Sequence, residues 1–215
     1  MPPARGAAAV AVLATALSVA AGFLVAASLS ALGLVGSSWL EPRSALRQTI
    51  IGAATLVPLL IALRLTRSGL DSVGVTRTNL ARSVAIGVAL AAAWLFASGA
   101  LGDLLKPRLE HAFALIGALS VGFSEEIVWR GYLQSRLIDW IGARRGIVLA
   151  TTVFALFHIP QRLLAGARGT DLVQEIVVVA LFGGGFGVLQ ASTRNVTLPA
   201  IVHTAIDWSA RFVDG

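Results

Sequence analysis

The stretch FSEEIVWRGYLQ, which runs from Phe123 to Gln134, decides how this chain folds. It places Glu125, Glu126 and Arg130 inside a segment that is otherwise apolar enough for the interior of a lipid bilayer. A charged side chain at the centre of a bilayer costs about 2.5–3.5 kcal/mol on insertion scales, and such residues usually face a bundle interior or a water-filled cavity. Three of them in one segment therefore require partners.

The rest of the composition belongs to a membrane protein. Of the 215 residues, 56% are hydrophobic and 13% are charged. Soluble domains contain about 25% charged residues. The apolar residues fall in runs without a charged side chain, at residues 7–35, 50–63, 83–102, 147–159, 176–191 and 196–206. With their flanks, most of these runs reach the roughly 20 residues that a helix needs to cross a bilayer.

Together with a charged helix from about His111 to Gln134, these runs predict an all-α, polytopic transmembrane bundle of about seven spans. The fifth span is predicted to end near Pro160, and the last span is predicted to start near Pro199. No connection is long enough to fold alone, so we expect one structural domain. Residues 1–110 supply its N-terminal transmembrane helices and residues 111–215 a helical core that carries the polar motifs.

The N-terminal run and the charges bear on location. A cleaved signal peptide has an apolar region of only about 7–15 residues, so the longer run at residues 7–35 favours a retained helix. The net charge of +6 comes from arginines scattered over many short connections, which suits lipid headgroups and does not indicate a nucleic-acid partner. The several spans predict a multi-pass protein of the cell membrane. The connections on the same face of the membrane as the N-terminus carry slightly more arginine, which predicts that the N-terminus is cytoplasmic. The chain has no cysteine, which excludes disulfides and thiolate sites.

Helical geometry divides the two glutamates. Glu126 and Arg130 are four residues apart, with the acid on the N-terminal side, which is the better orientation for an ion pair within one helix. Glu125 is turned about 100° from Glu126 and projects toward a different neighbour. The trio can be a buried structural ion pair or a span end at the headgroups. If it belongs to a working site, Glu125 is the carboxylate that remains available.

Two further motifs place polar groups on later spans. FALFHIP, from Phe154 to Pro160, carries His158, and the proline ring frees one backbone carbonyl near it. HTAIDW carries His203 and Asp207 four residues apart on one helical face. A lone histidine is more often a packing residue, but three spans that each carry such groups favour one shared polar cavity.

These motifs resemble those of the CPBP intramembrane proteases, the family that contains the CAAX prenyl protease of the Rce1 type and the bacterial Abi proteins. The family pattern is Glu-Glu-x-x-x-Arg, Phe-x-x-x-His and His-x-x-x-Asn/Asp on separate spans, and the resemblance covers roughly residues 112–210. It implies a peptide-bond hydrolase in which Glu125 and His158 activate a water molecule. It also implies that His203 and Asp207 act at the oxyanion or assist at the same centre, and that Glu126 and Arg130 orient the site.

Asp207 departs from the commoner pattern, since many relatives have Asn there. As an anion it accepts hydrogen bonds but donates none to an oxyanion. Two roles stay open: it orients His203, or it joins His158 and His203 as a zinc ligand, because two histidines and a carboxylate suit zinc with an open position for water. We prefer the scheme without a metal, because Glu125 and His158 supply a base by themselves.

Other functional classes remain possible for the same residues. A proton-coupled transporter uses buried acids and histidines as a relay, although its usual internal repeats are not seen. A non-catalytic immunity or scaffold protein would keep the fold alone. For an enzyme, the expected partners are membrane lipid and a peptide or protein substrate, either prenylated or embedded in the membrane.

Two weaker patterns concern packing. Gly183 and Gly187 have the G-x-x-x-G spacing that lets membrane helices approach closely. Four tryptophans suit anchoring at the membrane interface or filling of the core: Trp39, Trp94, Trp140 and Trp208.

Overall fold

In the computed structural model the described part of the chain comprises residues 4–34, 36, 38, 40–104, 106 and 108–213. No strand occurs among these residues. The helical elements in chain order are α1 (Ala4–Ala31), α2 (Pro42–Leu65), a 3₁₀ turn (Leu70–Val73), α3 (Leu80–Ala97), α4 (Leu101–Leu104), α5 (Leu109–Glu126), a π-helix (Ile127–Gln134), α6 (Ser135–Ile141), α7 (Ala143–Leu164), α8 (Gly169–Thr193) and α9 (Thr197–Val213). The predicted all-α fold is confirmed.

The long helices agree with a polytopic bundle. Within the described residues, 6 helices are long and apolar enough to cross a membrane: Arg5–Ala31, Pro42–Leu65, Leu80–Ala97, Leu109–Ile141, Ala143–Leu164 and Gly169–Thr193. The helix α9 has 17 residues and takes the position of the predicted seventh span. Pro199 lies in its first turn, as expected. The division of the chain at residue 110 stays a prediction.

Helix α7 corrects one expected boundary. It does not end near Pro160 but continues to Leu164. Proline removes only one intrahelical hydrogen bond, the one to the carbonyl of Leu156. In the absence of water, a helix is also the conformation that satisfies the remaining backbone groups. The proline is therefore accommodated inside the helix.

The charged span is longer than predicted and changes its helical form at the charges. It runs unbroken from Leu109 to Ile141, and the stretch Ile127–Gln134 is a π-helix. Such segments are rare and occur frequently at functional sites. Every residue from Val128 to Gln134 is buried, because the π-helix contacts α1, α2, α7, α8 and the 3₁₀ turn. It is the centre of the bundle.

Aromatic and small side chains pack around this centre. Trp129 meets Phe154 edge to face, with ring centroids 5.3 Å apart, and lies 5.4 Å from the Phe157 ring. Helix α1 approaches through a buried stripe of small residues, which permits close contact between membrane helices. The stripe consists of Ala8, Ala11, Ala14 and Ser18.

Two of the tryptophans are partly buried and bond to neighbouring helices, and one lies at the surface. Trp94 donates a hydrogen bond to Ser209 Oγ (2.9 Å), and Trp208 donates one to the His111 carbonyl (3.0 Å). Trp140 is 44% exposed. Trp39 lies outside the described residues.

The connection between α2 and α3 folds back against the bundle. Its Val73 is fully buried, and Arg136 donates hydrogen bonds to the carbonyl (2.8 Å) and the hydroxyl (3.0 Å) of Ser72. The amide of Asn195 donates to the carbonyls of Thr76 and Thr78, each at 2.9 Å. These bonds hold the connection across one end of the π-helix.

This contact predicts the effect of filling one glycine. A Cβ at Gly131 would overlap the Val73 carbonyl, and overpacking of this kind costs about 1–3 kcal/mol. We expect Gly131→Ala to lower the stability of the protein in detergent by that amount, as measured by thermal unfolding. The control is Gly102→Ala, whose added Cβ meets nothing within 4 Å. Equal unfolding temperatures for the two variants would contradict the packing described.

Candidate active site

The buried ion pair predicted from the sequence is present. Glu126 is completely buried and Arg130 is 2% exposed, and Arg130 Nη1 lies 3.1 Å from Glu126 Oε1. Arg130 Nη2 also donates to the Gly183 carbonyl at 3.3 Å, and its guanidinium carbon lies 4.0 Å from the centroid of the Phe154 ring. Elements from α5 to α8 thus enclose both charges.

A second partner of Glu126 comes from α9. His203 Nδ1 lies 2.9 Å from Glu126 Oε1. Because a carboxylate only accepts, the Nδ1 of His203 carries the proton. His203 Nε2 lies 3.8 Å from Asp207 Oδ2, and the ring stacks on Phe186 with centroids 5.1 Å apart. The shared face of His203 and Asp207 is confirmed, whereas the bond from His203 to Glu126 was not predicted.

Glu125 stands beside this cluster without joining it. Its side chain is half-buried. Within the part of the chain that the structure describes, its carboxylate has no hydrogen-bond or ion-pair partner. It is near enough to Arg130 and His203 to interact with both electrostatically. Glu125 is thus the carboxylate of the trio that no neighbour occupies, as the helical geometry indicates.

His158 is buried on α7, with one ring nitrogen occupied. Its Nδ1 lies 2.8 Å from the Phe154 carbonyl. Since a carbonyl only accepts, Nδ1 carries the proton, and Nε2 of the neutral ring is left as an acceptor. The bonded carbonyl belongs to Phe154 and is not the Leu156 carbonyl that Pro160 leaves without its intrahelical donor. The Phe154 ring contacts both His158 (4.5 Å between centroids) and Arg130.

The donors do not gather as a metal set. Among the described residues, no group of three or more His, Cys, Asp or Glu side chains is arranged to hold a metal ion. As they are placed, His158, His203 and Asp207 do not form a ligand set. The scheme without a metal stays a prediction, with zinc as its alternative.

Two buried glutamines beside the cluster were missed from the sequence. Gln134 is completely buried and its Nε2 donates to the Gly187 carbonyl and to Gln190 Oε1, both at 3.0 Å. Gln190, 4% exposed, approaches Ser135 Oγ at 3.3 Å. The sequence does contain a signal for them, since each of two apolar spans carries one amide side chain. Placing an amide in lipid without a hydrogen-bond partner costs free energy, as it does for the histidines.

Fold and site together define a class: a multi-pass helical membrane protein with a polar, charged centre inside its bundle. Residues 107–209 match the family described as type II CAAX prenyl endopeptidase, Rce1-like. This part of the chain is therefore similar to the Rce1-like proteases, and the family resemblance drawn from the three motifs is confirmed. No curated protein and no solved structure matches the chain.

The ion pair predicts unequal effects on folding. Arg130→Ala leaves Glu126 buried without its cationic partner, and breaking a buried pair in this way costs about 3–5 kcal/mol. We expect a large fall in folded yield and in thermal stability in detergent. The matched control is Arg162→Ala, which breaks the half-exposed Arg162–Glu175 pair (3.4 Å) and should cost at most about 1 kcal/mol. Similar losses from both variants would contradict the structural role of the buried pair.

Proposed function

We propose that the chain is an intramembrane endopeptidase that hydrolyses a peptide bond with a water molecule activated by Glu125 and His158. The observation that carries this proposal is the difference in contacts between the adjacent carboxylates of Glu125 and Glu126. Glu126 Oε1 is shared by Arg130 and His203, while Glu125 has no hydrogen-bond or ion-pair partner among the described residues. A half-buried carboxylate kept beside such a cluster is placed to act as a general base. The similarity of residues 107–209 to a protease family supports the same proposal.

In this scheme Glu125 takes one proton from the water while the Nε2 of His158 accepts a hydrogen bond that orients it. The water oxygen then forms a bond to the carbonyl carbon, and the electron pair of the C=O bond moves to the oxygen. Glu125 returns the proton to the leaving nitrogen as the C–N bond breaks. Proton transfer by a positioned side chain contributes typically about 10²–10⁴-fold in rate.

We assign the role of oxyanion donor to His203. In its doubly protonated form it presents an Nε2–H, while Glu126 on one side and Asp207 on the other balance its charge. A preorganised donor of this kind stabilises the oxyanion, and losing one such donor costs about 10²–10³ in kcat. Asp207 then orients His203. Arg130 holds Glu126 and through it the imidazole.

The substrate follows from the location of the centre. Because the polar site is enclosed by apolar spans, we propose as substrate a peptide or protein that is embedded in the bilayer or anchored to it, with a prenyl group as one such anchor. Membrane lipid is the other partner. For the whole protein we propose a multi-pass location in the cell membrane with a cytoplasmic N-terminus, on the arginine distribution.

Protease activity is tested by searching for new peptide termini. Membranes from cells that express the intact chain, the Glu125→Gln form or the His158→Ala form are compared by proteomics. We expect termini that depend on the intact chain and disappear in both variants, at nearly normal folded yield. Glu175→Gln, at a half-exposed site, is the control and should keep the products. Identical termini in all samples would overturn the proposal in favour of a non-catalytic membrane protein.

A metal requirement is tested on the purified protein. Under the scheme above, chelators leave peptide cleavage unchanged, and Asp207→Asn keeps much of the activity because a neutral amide can still orient His203. A zinc site would give the opposite pattern, with loss on chelation, recovery with added zinc and weaker metal binding in Asp207→Asn. Near-stoichiometric zinc by elemental analysis, lost in His158→Ala, would replace the metal-free scheme.

A further inference from the structure

Helix α8 contributes two contacts to the candidate site although it carries none of the proposed catalytic residues. The Gly183 carbonyl accepts from Arg130, and the Phe186 ring stacks on His203 at an interplanar angle of 23°. Phe186 also lies 5.5 Å from the guanidinium carbon of Arg130. Both contacts depend on the position of α8 along the π-helix. A shift of one residue, about 1.5 Å of rise, would disturb both of them.

Hydrophobicity does not fix that position. Helix α8 is apolar on nearly all sides, and only 17% of its most apolar 18-residue stretch is buried inside the protein. Lipid tails are as apolar as leucine, so sliding or rotating such a helix costs little transfer free energy. The register has to come from close packing of small residues and from hydrogen bonds between the helices.

Gln134 and Gln190 supply those bonds. Arg130 and Gln134 are four residues apart on the π-helix, and their carbonyl partners Gly183 and Gly187 are four apart on α8. Gln134 also bonds Gln190, which approaches Ser135, and the Ser135 hydroxyl donates to the Arg130 carbonyl at 3.2 Å. These hydrogen bonds, which we call the Gln134–Gln190 ladder, link the π-helix and α8 in one register and end at Arg130.

We infer that Gln134 and Gln190 are positioning residues, which hold α8 in the register that places Gly183 against Arg130 and Phe186 against His203. The inference rests on the proposed function only for its effect on catalysis. The geometric effect, on the His203 ring, is independent of what the protein hydrolyses. Gly187 leaves the space that the Gln134 side chain needs, because an added Cβ there would lie 2.5 Å from Gln134 Oε1 and 3.1 Å from Ile147 Cγ2.

The experiment uses two matched pairs of variants of the full chain. Gln134→Leu removes the bonds at similar side-chain volume, and its control is Gln161→Leu on the exposed face of α7. Gly187→Ala pushes on Gln134 without changing any polar side chain, and its control is Gly185→Ala, two residues away on α8, whose Cβ would meet nothing within 4 Å. Thermal unfolding in detergent identifies samples that remain folded.

Two readouts follow the folded samples. The first is the ¹⁵N spectrum of the histidine rings, in which the His203 signals, assigned with a His203→Gln sample, are expected to shift in Gln134→Leu and Gly187→Ala and to stay in place in both controls. The second is peptide cleavage, in which kcat should fall about 10- to 100-fold, the loss expected from a displacement of about 1 Å at a catalytic centre, with little change in KM.

The outcomes separate the two proposals. Shifted His203 signals without any cleavage by the unmodified protein would support the positioning role and overturn the protease proposal. Unchanged His203 signals and unchanged kcat in both folded variants would overturn the positioning role and leave the protease proposal standing. If Gln134→Leu does not fold, Gly187→Ala alone decides, since it keeps every polar group.

Discussion

The structure depends on one constraint, the enclosure of the Glu126 carboxylate away from water in the middle of an apolar bundle. A charge in that position is tolerated only with close partners, and Glu126 has two, Arg130 at 3.1 Å and His203 at 2.9 Å. One partner lies on the same span and the other on α9, so the compensation of a single charge joins two helices that are far apart in the chain. Arg130 in turn needs an acceptor on α8 and the Phe154 ring of α7.

Membrane helices gain little from burying apolar side chains against one another, because lipid does so equally well. Polar contacts and small residues therefore decide which helices meet and in what register. The alanine stripe of α1, the glycines of α8 and the Gln134–Gln190 pair all serve this purpose around the π-helix. The same residues that make the bundle specific also bring together the groups proposed for chemistry. Stability and site geometry are therefore coupled, and variants of the site require a separate measure of folding.

The neighbouring carboxylates show how one backbone gives two roles. Glu126 is completely buried and its Oε1 contacts both Arg130 and His203, while Glu125 is half-buried beside them. The difference arises from a rotation of about 100° between adjacent helical residues. Of the trio, Glu126 and Arg130 join helices through their buried contacts, and Glu125 makes no such contact among the described residues. That contrast, more than the number of charged groups, connects the fold to hydrolysis.

The sequence by itself determined the helical class, the approximate spans, the Glu126–Arg130 pair and the common face of His203 and Asp207, because apolar length and the 3.6-residue period are local properties. Only the tertiary structure decided that His203 bonds Glu126, that His158 turns to the Phe154 carbonyl, and that α7 continues through Pro160. It alone also revealed the π-helix and the Gln134–Gln190 ladder. The bonds between helices join residues 53 or more positions apart in the chain, and the other features depend on how a span adapts to its neighbours. No local period encodes such contacts, since they are fixed by which buried polar groups can satisfy one another once the helices are packed.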